Sequence, residues 1–276
     1  MGSRNWCTVP VFQAFKLTYV TPVALTIAGS DPSGGAGLQA DLKTFHRFGV
    51  YGEAVPTLIT VQNTRRLTRV EHLAPDLVTA QIRAVVEDIP PRAAKIGALG
   101  SRAVVKAVAA EARHFAFPLV VDPILSGTLG ELLEEGAFHA LIEHLLPHAF
   151  LLTPNLDEAS AVMGFAVADR EAMVQAARKM LQLGAKNVLV KGGHLQGDAL
   201  DILVTGDGSV HEFTAPRIDT PHTHGSGCTY SAAITAELAK GAALLDAVAS
   251  AKRFITEAIR GNPHLGFGRG PLNHFA

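Results

Sequence analysis

The chain has 276 residues, and its 24 Lys and Arg residues nearly balance its 25 Asp and Glu residues. Hydrophobic residues make up 48% and charged residues 18%, which provides for a large buried core and leaves no basic stripe for nucleic acid. The two cysteines, Cys7 and Cys228, are too few for a disulfide framework and too far apart for a structural zinc site. We therefore expect a reducing, cytoplasmic location.

The first 21 residues differ from the rest of the chain. They mix apolar residues with Arg4, Asn5 and Pro10, which interrupts the apolar run that a signal peptide needs. We predict an N-terminal extension of uncertain order over residues 1–21 and a single domain over residues 22–276.

From residue 23 onwards, short apolar runs alternate with helical patterns. The predicted strands are Val23–Ala28, Ala54–Thr60, Ala93–Ile96, Leu119–Val121, Phe150–Leu152 and Val188–Val190. The predicted helices are Leu38–Phe48, Pro75–Glu87, Ala103–Ala112, Glu171–Leu183, Cys228–Ala239 and Leu245–Arg260. Strands that are apolar throughout are typical of sheets covered on both faces. The sequence therefore predicts an α/β fold, a mostly parallel sheet with helices on both sides.

Residues 200–213 depart from this alternation. Ile202–Val204 and Val210–Phe213 flank Gly206-Asp207-Gly208, which predicts a β-hairpin. An exposed apolar face on this hairpin would suit a homodimer contact.

Glycine and isolated polar residues follow the predicted strands. Gly29, Gln62, Asp122, Asn155 and Lys191 each come directly after a strand, or within three residues of its end, and Glu158 follows Asn155 by one helical turn. Any one of them could be a turn or helix-capping residue. Ligands of parallel sheets bind at the carboxyl ends of the strands. The recurrence of polar residues after several strands therefore favours a ligand-binding site, in which Lys191 is an unpaired cation.

A glycine-rich stretch, Gly225-Ser226-Gly227-Cys228, leads directly into a predicted helix. Its backbone N–H groups and the helix dipole would suit a phosphate group. At such a position the pKa of the Cys228 thiol should be lowered, so that the sulfur could take a proton from an attacking hydroxyl. The alternative is an ordinary glycine-rich helix start with a small buried cysteine. The sequence contains neither a P-loop nor a dinucleotide-binding glycine pattern.

The chain resembles the hydroxymethylpyrimidine/phosphomethylpyrimidine kinases of thiamin biosynthesis, within the ribokinase superfamily. The motifs that carry the resemblance are ALTIAGSDPSGGAGLQAD (24–41), VQNT (61–64), KIGALG (95–100), VVDP (120–123), TPNLDEA (153–159), VKGGHL (190–195), THGSGCT (223–229) and GRGPLNH (268–274). The resemblance implies a ribokinase-like three-layer αβα sandwich that uses ATP and Mg²⁺ to phosphorylate a small pyrimidine alcohol, and then its monophosphate.

The resemblance also implies roles for individual residues. The pyrimidine would be bound by Gln62, Gly29 and Asp41, and Mg²⁺ would be organised by Asn155, Glu158 and Asp122. The anion hole would be Gly225, Ser226, Gly227 and Cys228, with Cys228 as the base and Lys191 as the phosphate-binding cation. An amide such as that of Gln62 offers a donor and an acceptor together, which matches an amino group beside a ring nitrogen.

Two departures and two rival functions remain. The loop Ile124–Glu131 looks short and contains no lysine, and Ala98 stands where many relatives carry Met, which would enlarge the pocket.

A pyridoxal kinase is the nearest rival, because that substrate also offers a hydroxymethyl group. A non-catalytic sensor is the other rival, although the chain contains Cys228, Lys191 and Glu158.

Overall fold

A computed structural model describes residues 21–127, 130–193, 195 and 197–276. Its strands are β1 Val23–Ser30, β2 Tyr51–Gln62, β3 Leu67–His72, β4 Ala93–Ile96, β5 Leu119–Val121, β6 Ser126–Gly127, β7 Gly130–Glu131, β8 Leu151–Leu152, β9 Val188–Gly192, β10 Ala199–Val204 and β11 Val210–Ala215. Nine of them form one sheet in the order β11-β10-β9-β8-β5-β4-β1-β2-β3. Its central strands, from β2 to β9 in space, all run parallel.

The helices are α1 Gly37–Arg47, α2 Pro75–Asp88, α3 Arg102–Ala112, α4 Ala137–Ala140, α5 Leu156–Met163, α6 Arg170–Gln182, α7 Ser226–Ala239 and α8 Leu244–Arg260. After α4 the chain continues through a π-helical turn, Leu141–Leu145, and a 3₁₀ turn, Leu146–His148. Helices α1, α7 and α8 pack on one face of the sheet, and α2, α3, α5 and α6 pack on the other. This is the predicted three-layer αβα sandwich.

Alternation along the strands divides the core into two halves. In β1, Leu25 and Ile27 belong to the core under α2 and α3, whereas Ala24 belongs to the core under α7 and α8. Successive side chains of a strand point to opposite faces, so a strand covered on both sides is apolar at most positions. The continuous apolar runs in the sequence follow from this burial.

The predicted hairpin is present as β10 and β11, which are antiparallel, and β11 forms one edge of the sheet. Its use as a homodimer contact stays a prediction.

The extension predicted for residues 1–21 lies, apart from Thr21, outside the described residues. We take residues 22–276 as one domain, because the nine-stranded sheet draws strands from Val23 to Ala215 and α8 packs against it. No helix of the described ranges is long and apolar enough to span a membrane.

Among the described residues, one buried carboxylate has no hydrogen-bond partner. Glu53 on β2 is 7% exposed, and neither of its carboxylate oxygens has a hydrogen-bond partner. Burial, with a smaller contribution from Asp88, raises its pKa to about 7. Because this is higher than the ordinary value of 4.5, the protonated form folds better, and Glu53 costs stability as the pH rises between those two values.

We expect Glu53→Gln to raise the free energy of unfolding by about 1–2 kcal/mol at pH 8, where the buried carboxylate is charged, and to give no gain at pH 4, where it is neutral. Urea unfolding at the two pH values measures this. The matched control is Glu87→Gln on the exposed face of α2, which should change stability by less than about 0.5 kcal/mol at either pH. An equal gain at both pH values for Glu53→Gln would contradict the assignment.

Candidate active site

Two adjacent cavities lie at the carboxyl edge of the parallel strands, with volumes of about 340 and 420 Å³. Residues that line both cavities form the wall between them: Asn155, Lys191, Thr223, Ser226 and Gly227. A group bound in one cavity therefore meets a group bound in the other at the glycine-rich loop. Every predicted site residue except Asp41 lines the first cavity.

The loop after β1 is organised around the Asp31 carboxylate. This carboxylate accepts hydrogen bonds from the backbone N–H groups of Ser33, at 2.8 Å, and Ala36, at 2.9 Å. Burial opposes its ionisation, but hydrogen bonds from His224 and Ser33 outweigh burial and hold its pKa below the usual range. The loop is thereby fixed in one conformation, and α1 begins immediately after it, at Gly37.

His224 joins this loop to the glycine-rich loop. Its Nε2 lies 2.9 Å from Asp31 Oδ2, and both side chains are buried. Its backbone N–H donates to the Gly270 carbonyl oxygen at 3.3 Å. We had no reason from sequence to separate His224 from the other histidines, and the only available signal was its position directly before Gly225. The structure shows that it links three segments at the site.

The glycine-rich loop has the geometry of an anion site. Gly225 is the N-cap of α7 with φ of 81°, in the left-handed region, and α7 starts at Ser226. A side chain at Gly225 would place Cβ 1.8 Å from the Gly35 carbonyl oxygen, so only glycine fits there. Gly227 faces the charged groups, since a Cβ there would lie 3.2 Å from Lys191 Nζ. The N–H groups of the first turn of α7 thus lie beside a lysine.

The Cys228 side chain lies in the first turn of α7 and lines the first cavity, although it is only 8% exposed. The expectation that its pKa is lowered was wrong. Burial raises the pKa of the thiol to about 11, which the positive charge of Lys95 reduces only in part. The helix dipole acts on an exposed thiol in the way we expected, but desolvation of the thiolate is the larger effect at this depth.

Lys191 is paired, contrary to the sequence expectation. Its Nζ donates to Asp122 Oδ1 at 2.7 Å, and Thr153 Oγ1 donates to the same oxygen at 3.0 Å. Burial opposes both charges, but the pair overcomes it, so the pKa of Asp122 is lowered and that of Lys191 is raised. Lys191 therefore keeps its charge at neutral pH, at the wall between the cavities.

Asn155 and Glu158 form a reciprocal cap on α5. The Asn155 Oδ1 atom accepts from the Glu158 N–H at 2.8 Å, and Glu158 Oε2 accepts from the Asn155 N–H at 2.7 Å. Burial raises the pKa of Glu158 to about 7, an effect that the charge of Lys191 opposes. The cap explains why a polar pair at this spacing starts a helix, and the Leu125 backbone adds a second hydrogen bond to the Glu158 carboxylate.

Asp41, predicted to bind the pyrimidine, does not line either cavity. It is fully buried on α1, where Oδ1 accepts from Lys95 Nζ at 2.5 Å and Oδ2 accepts from Thr26 Oγ1 at 2.6 Å. Its carboxylate is committed to these partners behind the cavity wall. Lys95 was missed as a site residue, because the sequence presents it inside an apolar strand.

The remaining predicted positions lie on the wall of the first cavity. Gln62 ends β2, where the register with β3 shifts, and its side chain lies beside Asp31. Ala98 and Gly29 line the same wall, and Ile124 and Leu132, which flank the lysine-free loop, add apolar surface. Arg269, which belongs to the GRGPLNH motif, contributes a further cation to this cavity.

Among the described residues, no three His, Cys, Asp or Glu side chains are placed to hold a metal ion together. Asp122 and Glu158 nevertheless both line the first cavity, and the negative charge of Asp122 opposes the ionisation of Glu158. Mg²⁺ takes one or two carboxylates and keeps several waters and phosphate oxygens, so these residues fit such an ion without forming a closed cage.

Two cavities that meet at an anion-binding helix start suit the transfer of a charged group between two bound molecules. The two cavities share Lys191 and lie at one edge of the αβα layers. This combination of fold and site defines a ribokinase-like small-molecule kinase.

Comparison with known proteins gives the family. The family model described as phosphomethylpyrimidine kinase matches residues 31–273. A hydroxymethylpyrimidine/phosphomethylpyrimidine kinase of Rhizobium meliloti is 49% identical over 261 residues, which cover 93% of this chain and 98% of that protein. The chain belongs to the phosphomethylpyrimidine kinase family, and it is a phosphotransferase.

Solved structures agree with this fold. A Bacillus subtilis pyridoxal kinase, solved as an ADP complex, is 38% identical, with a TM-score of 0.85 over 92% of this chain and 98% of that one. A phosphomethylpyrimidine kinase from Clostridium difficile is 44% identical, with a TM-score of 0.77 over 86% of this chain and 99% of that one. The predicted family and the predicted ribokinase-like fold are therefore confirmed.

Proposed function

We propose that the chain transfers the γ-phosphoryl group of ATP to the primary alcohol of 4-amino-5-hydroxymethyl-2-methylpyrimidine, and then to the resulting monophosphate, in thiamin biosynthesis. The observation that carries this proposal is the wall shared by the two cavities. There Lys191 and the N–H groups that begin α7 stand between a cavity containing Gln62 and Cys228 and a second, larger cavity. Membership of the phosphomethylpyrimidine kinase family supports the choice of pyrimidine.

The alcohol would lie in the first cavity, with its oxygen near Cys228, and ATP would occupy the second, with its γ-phosphate at the shared wall. The Cys228 sulfur, as thiolate, takes the proton of the alcohol while the oxygen attacks phosphorus in line. The bond from phosphorus to the β,γ-bridging oxygen breaks, and ADP leaves. Lys191 and the amides of Gly225–Cys228 stabilise the negative charge on the group in transfer.

The second cavity suits a nucleotide because it combines a lysine with apolar surface. Lys191 belongs to the wall shared with the first cavity, while Ile255 and Ile259 of α8 supply apolar surface that a base could contact. Mg²⁺ would be held through water by Asp122, Asn155 and Glu158, where it would supply electrostatic stabilisation of the phosphates. A cytoplasmic location agrees with Cys228, whose role requires a free thiol.

Pyridoxal is the second candidate substrate, because the Bacillus subtilis pyridoxal kinase superimposes on this chain with a TM-score of 0.85. The deciding experiment measures ADP release with hydroxymethylpyrimidine, its monophosphate and pyridoxal side by side. We expect kcat/KM to be highest for the first two. Turnover of pyridoxal without turnover of hydroxymethylpyrimidine would reject the proposal.

Gln62→Ala tests the pyrimidine site. Because its amide would pair with the amino group and a ring nitrogen, its loss should raise KM for the pyrimidine about 10- to 100-fold. The affinity for ATP, measured by calorimetry with a non-hydrolysable analogue, should change less than about twofold. Gln81→Ala on α2, remote from both cavities, is the matched control and should alter neither value. An equal loss of ATP and pyrimidine affinity in Gln62→Ala would contradict this role.

A further inference from the structure

A buried ammonium group lies behind the first cavity. Lys95, on the central strand β4, is 0% exposed, and its Nζ donates to Asp41 Oδ1 at 2.5 Å. Asp41 is held in turn by Thr26 of β1. Neither Lys95 nor Asp41 lines a cavity, so this ion pair does not contact a substrate.

The pair is connected to Cys228 through α1 and α7. Helix α7, which carries Cys228 in its first turn, packs on β4, β1 and α1. The Gly37 N–H at the start of α1 is directed at the Cys228 sulfur, and Asp41 lies one helical turn further along the same face. The ammonium of Lys95 extends to the level of Gly97, where a Cβ would lie 3.7 Å from Nζ. Gly37 and Asp41 of α1 thus connect the Cys228 sulfur with the Lys95 ammonium, and the side chains of Cys228, Asp41 and Lys95 are all buried.

Several charges act on this sulfur. Burial raises the pKa of the Cys228 thiol, and the largest effect in the opposite direction is the positive charge of Lys95. Asp41 on α1 and Asp122 after β5 add to the rise. Lys191 on β9 also interacts favourably with the thiolate. Lys95 is therefore the charge on which the thiolate depends most.

A purely structural ion pair would be a poor use of these positions. Burying an ammonium and a carboxylate costs several kcal/mol each, and an apolar pair of similar size is often at least as stable. A positive charge held near the Cys228 thiol has a chemical use, because it favours the thiolate form that accepts a proton.

We propose that Lys95 is a positioning residue for phosphoryl transfer: its buried ammonium, oriented by Asp41, stabilises the thiolate of Cys228 that takes the proton of the alcohol. The proposal rests on the proposed role of Cys228 as base. In each turnover the thiolate becomes a thiol as the alcohol oxygen bonds to phosphorus, and the thiol then releases that proton to solvent. Lys95 keeps its own proton throughout.

The experiment follows the alkylation of Cys228 by iodoacetamide against pH, with the modified peptide identified by mass spectrometry so that Cys7 does not contribute. Two variants should shift the midpoint in opposite directions. Lys95→Met/Asp41→Asn removes both charges and should shift it to higher pH by about one unit, because the larger effect of the two is lost. Asp41→Asn alone removes only the opposing charge and should shift it to lower pH. Thr26→Val, which removes a hydrogen bond to Asp41 and keeps both charges, should leave it in place.

Activity provides the second readout. In the double variant, kcat at pH 7.5 should fall about tenfold, the factor that corresponds to one pKa unit, with the rate recovered at higher pH and KM nearly unchanged. A lower kcat with an unmoved alkylation midpoint would overturn the proposal, since Lys95 would then act only on the fold. If the double variant fails to fold, Asp41→Asn alone tests the proposal: its alkylation midpoint should shift to lower pH, and an unmoved midpoint would overturn the proposal.

A failure of the proposed function looks different. If Cys228→Ala retained full turnover, Cys228 would not be the base, and Lys95 would lose its proposed role in the reaction. The alkylation midpoints would still report the charge of Lys95 at the sulfur, so the electrostatic contact and its catalytic use are tested separately.

Discussion

Cys228→Ala should lower kcat by about 10²- to 10⁴-fold, the range for loss of a positioned general base. The wild-type rate should also rise with pH above neutrality, because burial raises the pKa of the thiol to about 11 and only the thiolate accepts the proton. Below that pKa, each pH unit should increase the thiolate fraction about tenfold in the free enzyme. Initial rates from pH 6 to pH 10 with saturating ATP measure both effects.

The matched variant is Cys228→Ser, which keeps the size of the side chain and replaces the thiol by a far weaker acid. It should be nearly as slow as Cys228→Ala, with the same binding of an ATP analogue as the wild type. The alanine variant should lose the pH dependence of the remaining rate. Wild-type turnover in either variant, with an unchanged pH profile, would reject Cys228 as the base.

Gly225→Ala should be the most damaging single change in the glycine-rich loop. The new Cβ would lie 1.8 Å from the Gly35 carbonyl oxygen, and φ of 81° is unfavourable for alanine. We expect a loss of about 3 kcal/mol or more in the free energy of unfolding, from the clash and the backbone strain together. We also expect a fall of at least about 100-fold in kcat, since a displacement of about 1 Å can misalign the reacting groups.

Gly208→Ala is the control, because it separates the two causes. Gly208, in the turn between β10 and β11, has φ of 85°, but a Cβ there meets no atom within 4 Å. Its substitution should cost about 1 kcal/mol from backbone strain alone, with unchanged kcat. Urea unfolding and steady-state kinetics on both variants make the comparison. Equal losses of stability in the two would show that the contact with Gly35 is unimportant.

Most elements of the fold could be predicted because their burial fixes their pattern. Leu119–Val121 is apolar throughout, and Val23–Ala28 is apolar except at Thr26, because helices cover both faces. Strand β3 was missed, since Leu67–His72 carries Thr68, Arg69 and Glu71 and forms an exposed edge that pairs only with β2. Helix α5 was missed as well, because at eight residues it shows too little periodicity for detection beyond its Asn155 and Glu158 cap.

The electrostatics of the site could not be predicted in the same way. The sequence placed Cys228 at a helix start, which favours a low pKa, but the depth of its burial depends on how α7 packs on β4 and α1. Lys191 looked unpaired because its partner, Asp122, is 69 residues away in the chain. Asp41 looked like a substrate contact because it belongs to a motif, yet its carboxylate faces Lys95.

The sequence by itself determined the family and most of the strands and helices, and it predicts the glycine-rich helix start as the place of phosphate chemistry. These are local properties, carried by periodicity, by glycines that tight contacts require and by contiguous motifs. The tertiary structure alone decided which charges meet: Asp31 with His224, Asp122 with Lys191, and Lys95 with Asp41 beneath Cys228. The reason is physical, because desolvation and Coulomb interactions depend on depth and on distance through space, and neither quantity follows from position along the chain.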